Sequence, residues 1–420
     1  MIERLPQKLI ANPKKVILQF LNLGEKRTKI LLDKLLSIKE EKCTELLQDI
    51  LKKYEHRHRN YIEEILFNYN RVEEFIDGES KISKDRRTLI GAYFSKEYSI
   101  EAAALFNPSI VPHPDQNNLS NNQLRFLLSL RATGEGHISS IEFREGIIDK
   151  DCNVELFEAS EYSTAASYST TNSLNDGAYN CSFNKNSQLS ERVIYPYSDF
   201  ESMGMEDVRF VKLNYESDYK YYGTYTAYNG KSFRTQLIET KDFKDFSIRP
   251  LLGEAIKDKG MALFPRMIDN EYYMLGRQDR VNIHLMKSKT IYQWDSSEII
   301  KSPNTDWDFI QLGNCGSPIE TAEGWLVITH AVGPMRRYVI GALLLDLNDP
   351  YKIVGELEFP LIEPLENERE GYVPNVVYSC GSLAHNNKLV IPYAMSDAEC
   401  GFARVDLESL LTKIKIDKIR

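Results

Sequence analysis

GWLVITHAV at residues 324–332 and IGALLLDL at 340–347 decide the fold class: both are short apolar runs of strand-forming residues bounded by turn formers. The same texture begins near residue 100 and recurs in LRFLLSLRA (124–132), KYYGTYTAY (220–228), EYYMLGRQ (271–278) and KLVIPYAM (388–395). Such runs, separated by Gly, Asn, Asp and Pro, read as consecutive antiparallel strands. They group into roughly five units of about 35 to 50 residues, the length of propeller blades. The expected architecture is mainly β: a five-bladed β-propeller over residues 96–412. A sandwich is the alternative, because the units do not match one another residue by residue.

Before the strands, Ile30, Leu31, Leu35, Leu36, Leu46, Leu47, Ile50 and Leu51 fall at three- and four-residue spacings among Lys and Glu. That is an amphipathic helical hairpin or small bundle over residues 26–77. Residues 1–95 are expected to form an N-terminal α-helical extension packed on the main domain. The other reading of the apolar stripe is a partner surface, including that of a homo-oligomer. His56 and His58 lie two apart and face different sides of a helix, so they read as solvated rather than as metal ligands. Residues 152–200 are rich in Ser, Thr, Tyr and Asn without clear period. An insertion of that length is either a lid over the site or an excursion with short helices of its own.

Composition narrows the function. The 52 Lys and Arg against 61 Asp and Glu leave −9, which argues against a broad nucleic-acid footprint. The 24 Tyr and 18 Phe cluster in the strand region, where rings suit stacking on sugars or packing within blades. Six scattered cysteines form no C-x-x-C pair and have no close His, so reduced thiols are expected rather than a zinc site or a disulfide framework. MIERLPQKLIANPKKVILQF lacks the apolar core of a signal peptide, and no apolar stretch of about 18 residues occurs, so a cytoplasmic location away from membranes is expected.

Four constellations could carry chemistry. GMEDVRF at 204–210 sets Glu206, Asp207 and Arg209 at the mouth of a strand. Adjacent carboxylates followed by a cation suit a general acid poised by its neighbours; a surface turn with a local ion pair is the alternative. In LGNCGSPIETAEGWLVITHAV (312–332), Gly313 and Gly316 permit close backbone approach to a ligand, and His330 is either a site residue or a core histidine. Asp397 follows a strand, where it can grip hydroxyls or simply form a turn. Asn107, Arg131 and His137 stand at strand ends in FNPSIVPHP and LRATGEGHISS, while Lys259 and Arg277 place cations in apolar surroundings. Such cations need an anion, either a phosphate or nearby Asp and Glu.

In this order the segments resemble glycoside hydrolase family 130, the β-mannoside phosphorylases and β-1,2-mannosidases. The resemblance spans most of residues 100–408, leaving the N-terminal helices and residues 152–200 outside it. It rests on FNPSIVPHP, GMEDVR beside the family's G-x-E-D-P-R, YTAYNGK, ALFPRMI with YYMLGR, GSPIETAEGWLVITHAV, YVIGALLLDLNDP, EREGYVPNVVYSCG and YAMSDAECGFA. It implies a five-bladed propeller with the site in its central cavity, and an inverting reaction with Asp207 as general acid. In the family the acid works through the 3-hydroxyl of the bound mannose, unlike the usual flanking pair of carboxylates.

The resemblance carries over Asn107, Arg131 and Asp397 as sugar-binding positions, with His137, Glu206 and Arg209 beside them. Arg277 and His330 match phosphate-binding residues, joined by Lys259 and Tyr338. Inorganic phosphate would be the co-substrate, with no cofactor and no metal. Four positions depart from the family pattern: a Lys common in phosphorylases is Gln311, an Arg-Asn pair is Lys259-Gly260, and the Pro of E-D-P-R is Val208. The expected function is an inverting phosphorylase of β-1,2-linked mannooligosaccharides yielding α-mannose 1-phosphate. The alternatives are a β-1,2-mannosidase, in which water replaces phosphate and a carboxylate acts as base, and a non-catalytic propeller that binds glycans or proteins.

Overall fold

The computed structural model of the chain describes residues 2–76, 82–170, 177–215 and 218–417. It is mainly β, and among the described residues most strands fall into five successive antiparallel groups, apart from a two-stranded sheet of Val16–Phe20 and Ser95–Ser99. The first comprises Ala104–Pro112, Leu124–Thr133 and Ser139–Ile148, and the second Gly204–Asn214, Tyr219–Tyr228, Phe233–Thr240 and Asp245–Pro250. A parallel contact between Ser139 and Gly204 joins these two into one twelve-stranded sheet. The third runs Ala262–Leu263, Tyr272–Gly276, Ile283–Ser288 and Glu298–Lys301; the fourth Gln311–Asn314, Gly324–Val332, Tyr338–Leu345 and Ile353–Glu356. The fifth orders Val377–Tyr378, Lys388–Met395, Glu399–Asp406 and, at its edge, Ile2–Ile10.

These strands read as apolar runs because both of their faces are buried. Along Gly324–Val332, Trp325, Val327 and Ala331 pack with Leu275 and Leu285 of the third group, while Leu326 and Ile328 pack with Leu389 and Ile391 of the fifth. The same alternation sends Leu127 toward Phe210 and Tyr221 of the second group, and Phe126 and Leu128 toward Val390 and Phe402 of the fifth. Val211 and Tyr222 of the second group meet Leu263 and Met274 of the third. Each fully buried aliphatic or aromatic side chain contributes about 1.5–3 kcal/mol, so every interface between successive groups carries its own core. Many of the tyrosines serve this packing: Tyr179, Tyr221, Tyr225 and Tyr393 are among the largest fully buried side chains.

The N-terminal segment departs from expectation. Residues 2–10 are strand, antiparallel to Glu399–Asp406, and Arg4 donates from Nε to the carboxylate of buried Glu368 at 2.8 Å. The helices are Glu25–Ser37, Glu40–Tyr54, Tyr61–Asn70 and Lys84–Tyr93, closed over Leu32, Leu35, Cys43, Leu47, Tyr69, Leu89, Ile90 and Phe94. Ser83 caps the last helix by accepting from the Arg86 backbone, and Arg86 reaches the carbonyls of Leu35 and Ile38 at the end of the first. His58 is not solvated: it is buried, stacked on Tyr61 with Nε2 2.9 Å from the Glu97 carboxylate. All six cysteines are free and buried. No helix among the described residues is long and apolar enough to cross a membrane.

The described parts of the segment 152–200 join the sheets. Tyr179–Ser182 extends the second group by pairing with Asp245–Pro250, and Arg192–Ile194 pairs with Ser139–Ile148 of the first. Residues 171–176 of this segment lie outside the described residues. Among those described, none lines the cavity presented below.

Candidate active site

Two β-bulges build the centre of the site. The first strand of the first group slips register between Phe106 and Ser109, and that of the second group between Glu206 and Arg209. A bulge re-aims a side chain out of the strand's alternation, and here it leaves Asn107 and Asp207 with φ of 50° and 57°. Asn and Asp tolerate that left-handed backbone better than most residues. The two side chains meet across the groups, Asn107 Nδ2 donating to Asp207 Oδ1 at 2.7 Å. Arg131, from the neighbouring strand, donates from Nη1 to Asp207 at 3.4 Å and from Nη2 to Glu206 at 2.9 Å. Arg209 donates to the Asp207 carbonyl at 3.0 Å and to the Tyr378 hydroxyl at 2.6 Å.

These charges set the protonation of the two carboxyls in the cavity. Burial raises Asp207, but Arg131, Arg209, Lys259 and the Asn107 hydrogen bond outweigh it and hold the carboxyl below the ordinary range. Asp397, also at a left-handed position with φ 52°, goes the other way. Burial and the Asp207 charge push it up to about 6, against the pull of Arg131, Arg336 and Lys259.

The opposite wall is cationic and aromatic. His330 is buried, and burial with the nearby Arg277 and Arg209 charges holds its imidazole well below its usual range, so the ring is neutral. Its Nδ1 lies 3.1 Å from the Asn314 carbonyl, which can only accept, so that nitrogen carries the proton. Nε2 is then an acceptor and takes a hydrogen bond from Arg277 Nη1 at 3.2 Å. His330 therefore aims Arg277 rather than adding a charge of its own. Gly313, opposite His330 in the sheet, makes room for the ring: a Cβ there would stand 2.4 Å from His330 Cε1. Arg277 also faces Asp258 at 3.8 Å, and Lys259 Nζ lies 3.6 Å from Glu206. Tyr338 stacks on His330 and accepts from Gln311 at 3.1 Å.

Together these residues enclose a cavity of about 140 Å³ lined by Asn107, Arg131, Asp207, Lys259, Arg277, His330, Arg336, Tyr338, Val376, Tyr378 and Asp397. A smaller recess of about 20 Å³ runs behind it between Arg209, Arg277, Asn314 and Tyr378. That is room for little more than a water molecule. The Nε atoms of Arg209 and Arg277 are buried without a hydrogen-bond partner among the described residues. A carboxyl held by an amide and a guanidinium, facing an oriented arginine and a lysine, can pair proton transfer to an oxygen with binding of an anion.

The profile of a family described as beta-1,4-mannooligosaccharide phosphorylase, glycoside hydrolase family 130, matches residues 154–415. The chain belongs to glycoside hydrolase family 130. Like the family, it is an enzyme acting on β-mannosides, a phosphorylase or a hydrolase. A 1,2-beta-oligomannan phosphorylase of Thermoanaerobacter sp. (strain X514) is 34% identical over 230 residues, 53% of this chain and 75% of that protein. A beta-1,2-mannobiose phosphorylase of Listeria innocua is 26% identical over 231 residues, 53% of this chain and 64% of its own length. The Listeria innocua beta-1,2-mannobiose phosphorylase structure, in complex with beta-1,2-mannobiose, aligns with 75% of this chain and 92% of its own. Its TM-score is 0.51 at 20% identity, a likeness of fold. The family match begins at residue 154, so it includes most of the segment that the motifs alone left outside.

Of the residues singled out from the family 130 motifs, Asn107, Arg131, Asp207, Lys259, Arg277, His330, Tyr338 and Asp397 line the cavity, and Arg209 lines the recess. Glu206 sits behind the wall, between Arg131 and Lys259. His137 does not line it: the ring is exposed, with Nδ1 3.3 Å from the Tyr372 hydroxyl. Tyr378, Asn314 and Arg336 line the cavity or its recess without having been selected. Tyr378 and Asn314 lie within quoted motifs, one in NVVYSCG and the other in LGNCGS, and a search for polar residues beside the glycines would have found both.

Proposed function

We propose that this family 130 enzyme is an inverting phosphorylase of β-1,2-linked mannooligosaccharides, releasing α-mannose 1-phosphate, and that its five strand groups form a five-bladed propeller around the cavity. The propeller reading is supported by cores shared between each group and the next, and between the fifth and the first. The reaction is carried by one observation, the charge balance of the cavity. Two carboxylates, Asp207 and Asp397, line the cavity among the described residues, together with four cations, Arg131, Lys259, Arg277 and Arg336. Asp207 is engaged by Asn107 and Arg131, while Arg277 is aimed by the neutral His330. A hydrolase needs a base to activate water; phosphate needs none, but it does need cations.

In this reading a phosphate oxygen, held by Arg277 and Lys259, attacks the anomeric carbon of the mannosyl unit as its β-bond to the leaving sugar breaks. Inversion gives the α-phosphate. Asp207 supplies the proton that the leaving oxygen takes up, through the mannose 3-hydroxyl in the family manner. Arg131, Arg209 and Lys259 favour the ionised form of Asp207. A phosphate anion beside Lys259 and Arg277 offsets part of that cationic field, so its binding raises the affinity of Asp207 for the proton it must deliver. Asn107, Arg131 and Asp397 hold the mannose hydroxyls, and His330 fixes Arg277.

The test compares β-1,2- and β-1,4-mannobiose with phosphate, using the native enzyme and Asp207→Asn. Faster formation of mannose 1-phosphate from the β-1,2-linked sugar, abolished in Asp207→Asn, is expected. Faster turnover of the β-1,4-linked sugar would reject the linkage, and undiminished turnover by Asp207→Asn would reject the acid.

A further inference from the structure

The turn at 333–337 joins the strands Gly324–Val332 and Tyr338–Leu345, and two successive residues in it, Met335 and Arg336, adopt left-handed backbone with φ of 58° and 54°. Both central residues of a type I′ hairpin turn take that region. Here the Arg337 N–H closes the turn on the Pro334 carbonyl at 3.1 Å, so the hairpin holds Met335 and Arg336 there although neither is the Asn or Gly that fits it best. Met335 is 89% exposed, and Arg336 is exposed and makes no hydrogen bond or ion pair among the described residues. What the turn achieves is placement: the Arg336 guanidinium comes back over the cavity, lines it, and stands 5.8 Å from the centre of the Tyr338 ring.

Tyr338 is in turn fixed by Gln311 and stacked on His330, which orients Arg277. Arg336, Tyr338, His330 and Arg277 thus form one contiguous column along the cationic wall. At one end Arg277 is buried; at the other, Arg336 is open to solvent and free to meet an incoming ion. A guanidinium presents five N–H donors in a planar fork that matches phosphate oxygens, and it gains far less from neutral sugar hydroxyls. Arg336 acts on Asp397 only through its field and makes no ion pair among the described residues, so its guanidinium at the cavity mouth keeps its donors available to an anion entering from solvent.

We propose that Arg336 is a phosphate-binding residue, closing from the mouth of the cavity the anion subsite whose inner side is Arg277 and Lys259. The assignment rests on the phosphorylase reading. Its test measures KM for inorganic phosphate and for β-1,2-mannobiose in the native enzyme, Arg336→Met, Arg336→Lys and Arg336→Gly, together with the rise in melting temperature given by phosphate alone. Losing a charge-assisted contact should raise the phosphate KM about ten-fold or more in the Met and Gly variants and less in the Lys variant, with the mannobiose KM held within about two-fold. Phosphate should protect the Met variant less than the native enzyme. Gly relieves the left-handed strain at 336, so that variant should melt no lower than native, which separates lost binding from lost folding.

If the native enzyme is phosphate-dependent and Arg336→Met keeps the native phosphate KM, or loses mannobiose affinity instead, the assignment of Arg336 is overturned. If the native enzyme turns over mannobiose equally without phosphate and gains no protection from it, the phosphorylase reading itself fails.

Discussion

Replacing Asp397 by Asn should stabilise the empty enzyme at neutral pH while weakening its hold on mannoside. Burial and the Asp207 charge push the Asp397 carboxyl up to about 6, against about 3.9 in an unfolded chain. A carboxyl raised on folding contributes stability that is fully present below the unfolded value and is lost as pH climbs through 6. At pH 7.5 the folded state therefore carries an ionised group it disfavours by up to about 3 kcal/mol. Asn is free of that load at every pH. For a chain of this length an unfolding entropy of about 0.9 kcal/mol per degree converts the difference to about 3 °C.

The assay is thermal unfolding of both proteins without ligand from pH 4 to 8. The variant's advantage should be near zero at pH 4 and grow to about 3 °C by pH 7.5. The Asp207 charge is the second cause of the shift, so the advantage should shrink in an Asp207→Asn background. Activity should move oppositely, with mannobiose KM rising roughly 10- to 100-fold on loss of a charged hydrogen-bond acceptor. A pH-independent difference, or a variant that melts below native at pH 7.5, would refute the reasoning.

Asp207→Asn should fold normally, because Asn107 can still bond it and Arg131 keeps Glu206, yet kcat should fall about 10²- to 10⁴-fold, as read by initial rates. Gly313→Ala would drive a methyl into the His330 ring, 2.4 Å from Cε1, costing about 1–3 kcal/mol in denaturant unfolding and raising the phosphate KM as Arg277 loses its acceptor. Arg4→Met would leave the buried Glu368 carboxylate without its cation, held only by the Tyr393 hydroxyl and the Leu365 N–H, costing about 1.5–3 kcal/mol or about 2–3 °C in melting.

Much of the fold was legible because its strands are buried on both faces and so stand out as apolar runs. The edge strand Ile2–Ile10 was not. It carries Pro6, which weakens a strand reading, and its partner Glu399–Asp406 lies at the far end of the chain. Asp207 could be found because its neighbours Glu206 and Arg209 make a charged cluster in sequence. Arg336 could not, because its reason for being in the wall is a backbone conformation rather than a residue pattern. His330 was legible as a site residue but not as a neutral one: that follows from the Asn314 carbonyl and the Arg277 donor, which come from different strands and segments. His137 read as a binding residue from its strand-end position, yet the turn at 135–137 carries it out to Tyr372.

The central claim is that phosphate, rather than water, receives the mannosyl group. The most direct measurement follows β-1,2-mannobiose consumption against phosphate concentration, starting from phosphate-free buffer, with α-mannose 1-phosphate quantified by phosphorus NMR. The account predicts no turnover without phosphate, saturable dependence on it, and one α-mannose 1-phosphate for each mannose released. Mannose release at the same rate in phosphate-free buffer would contradict it.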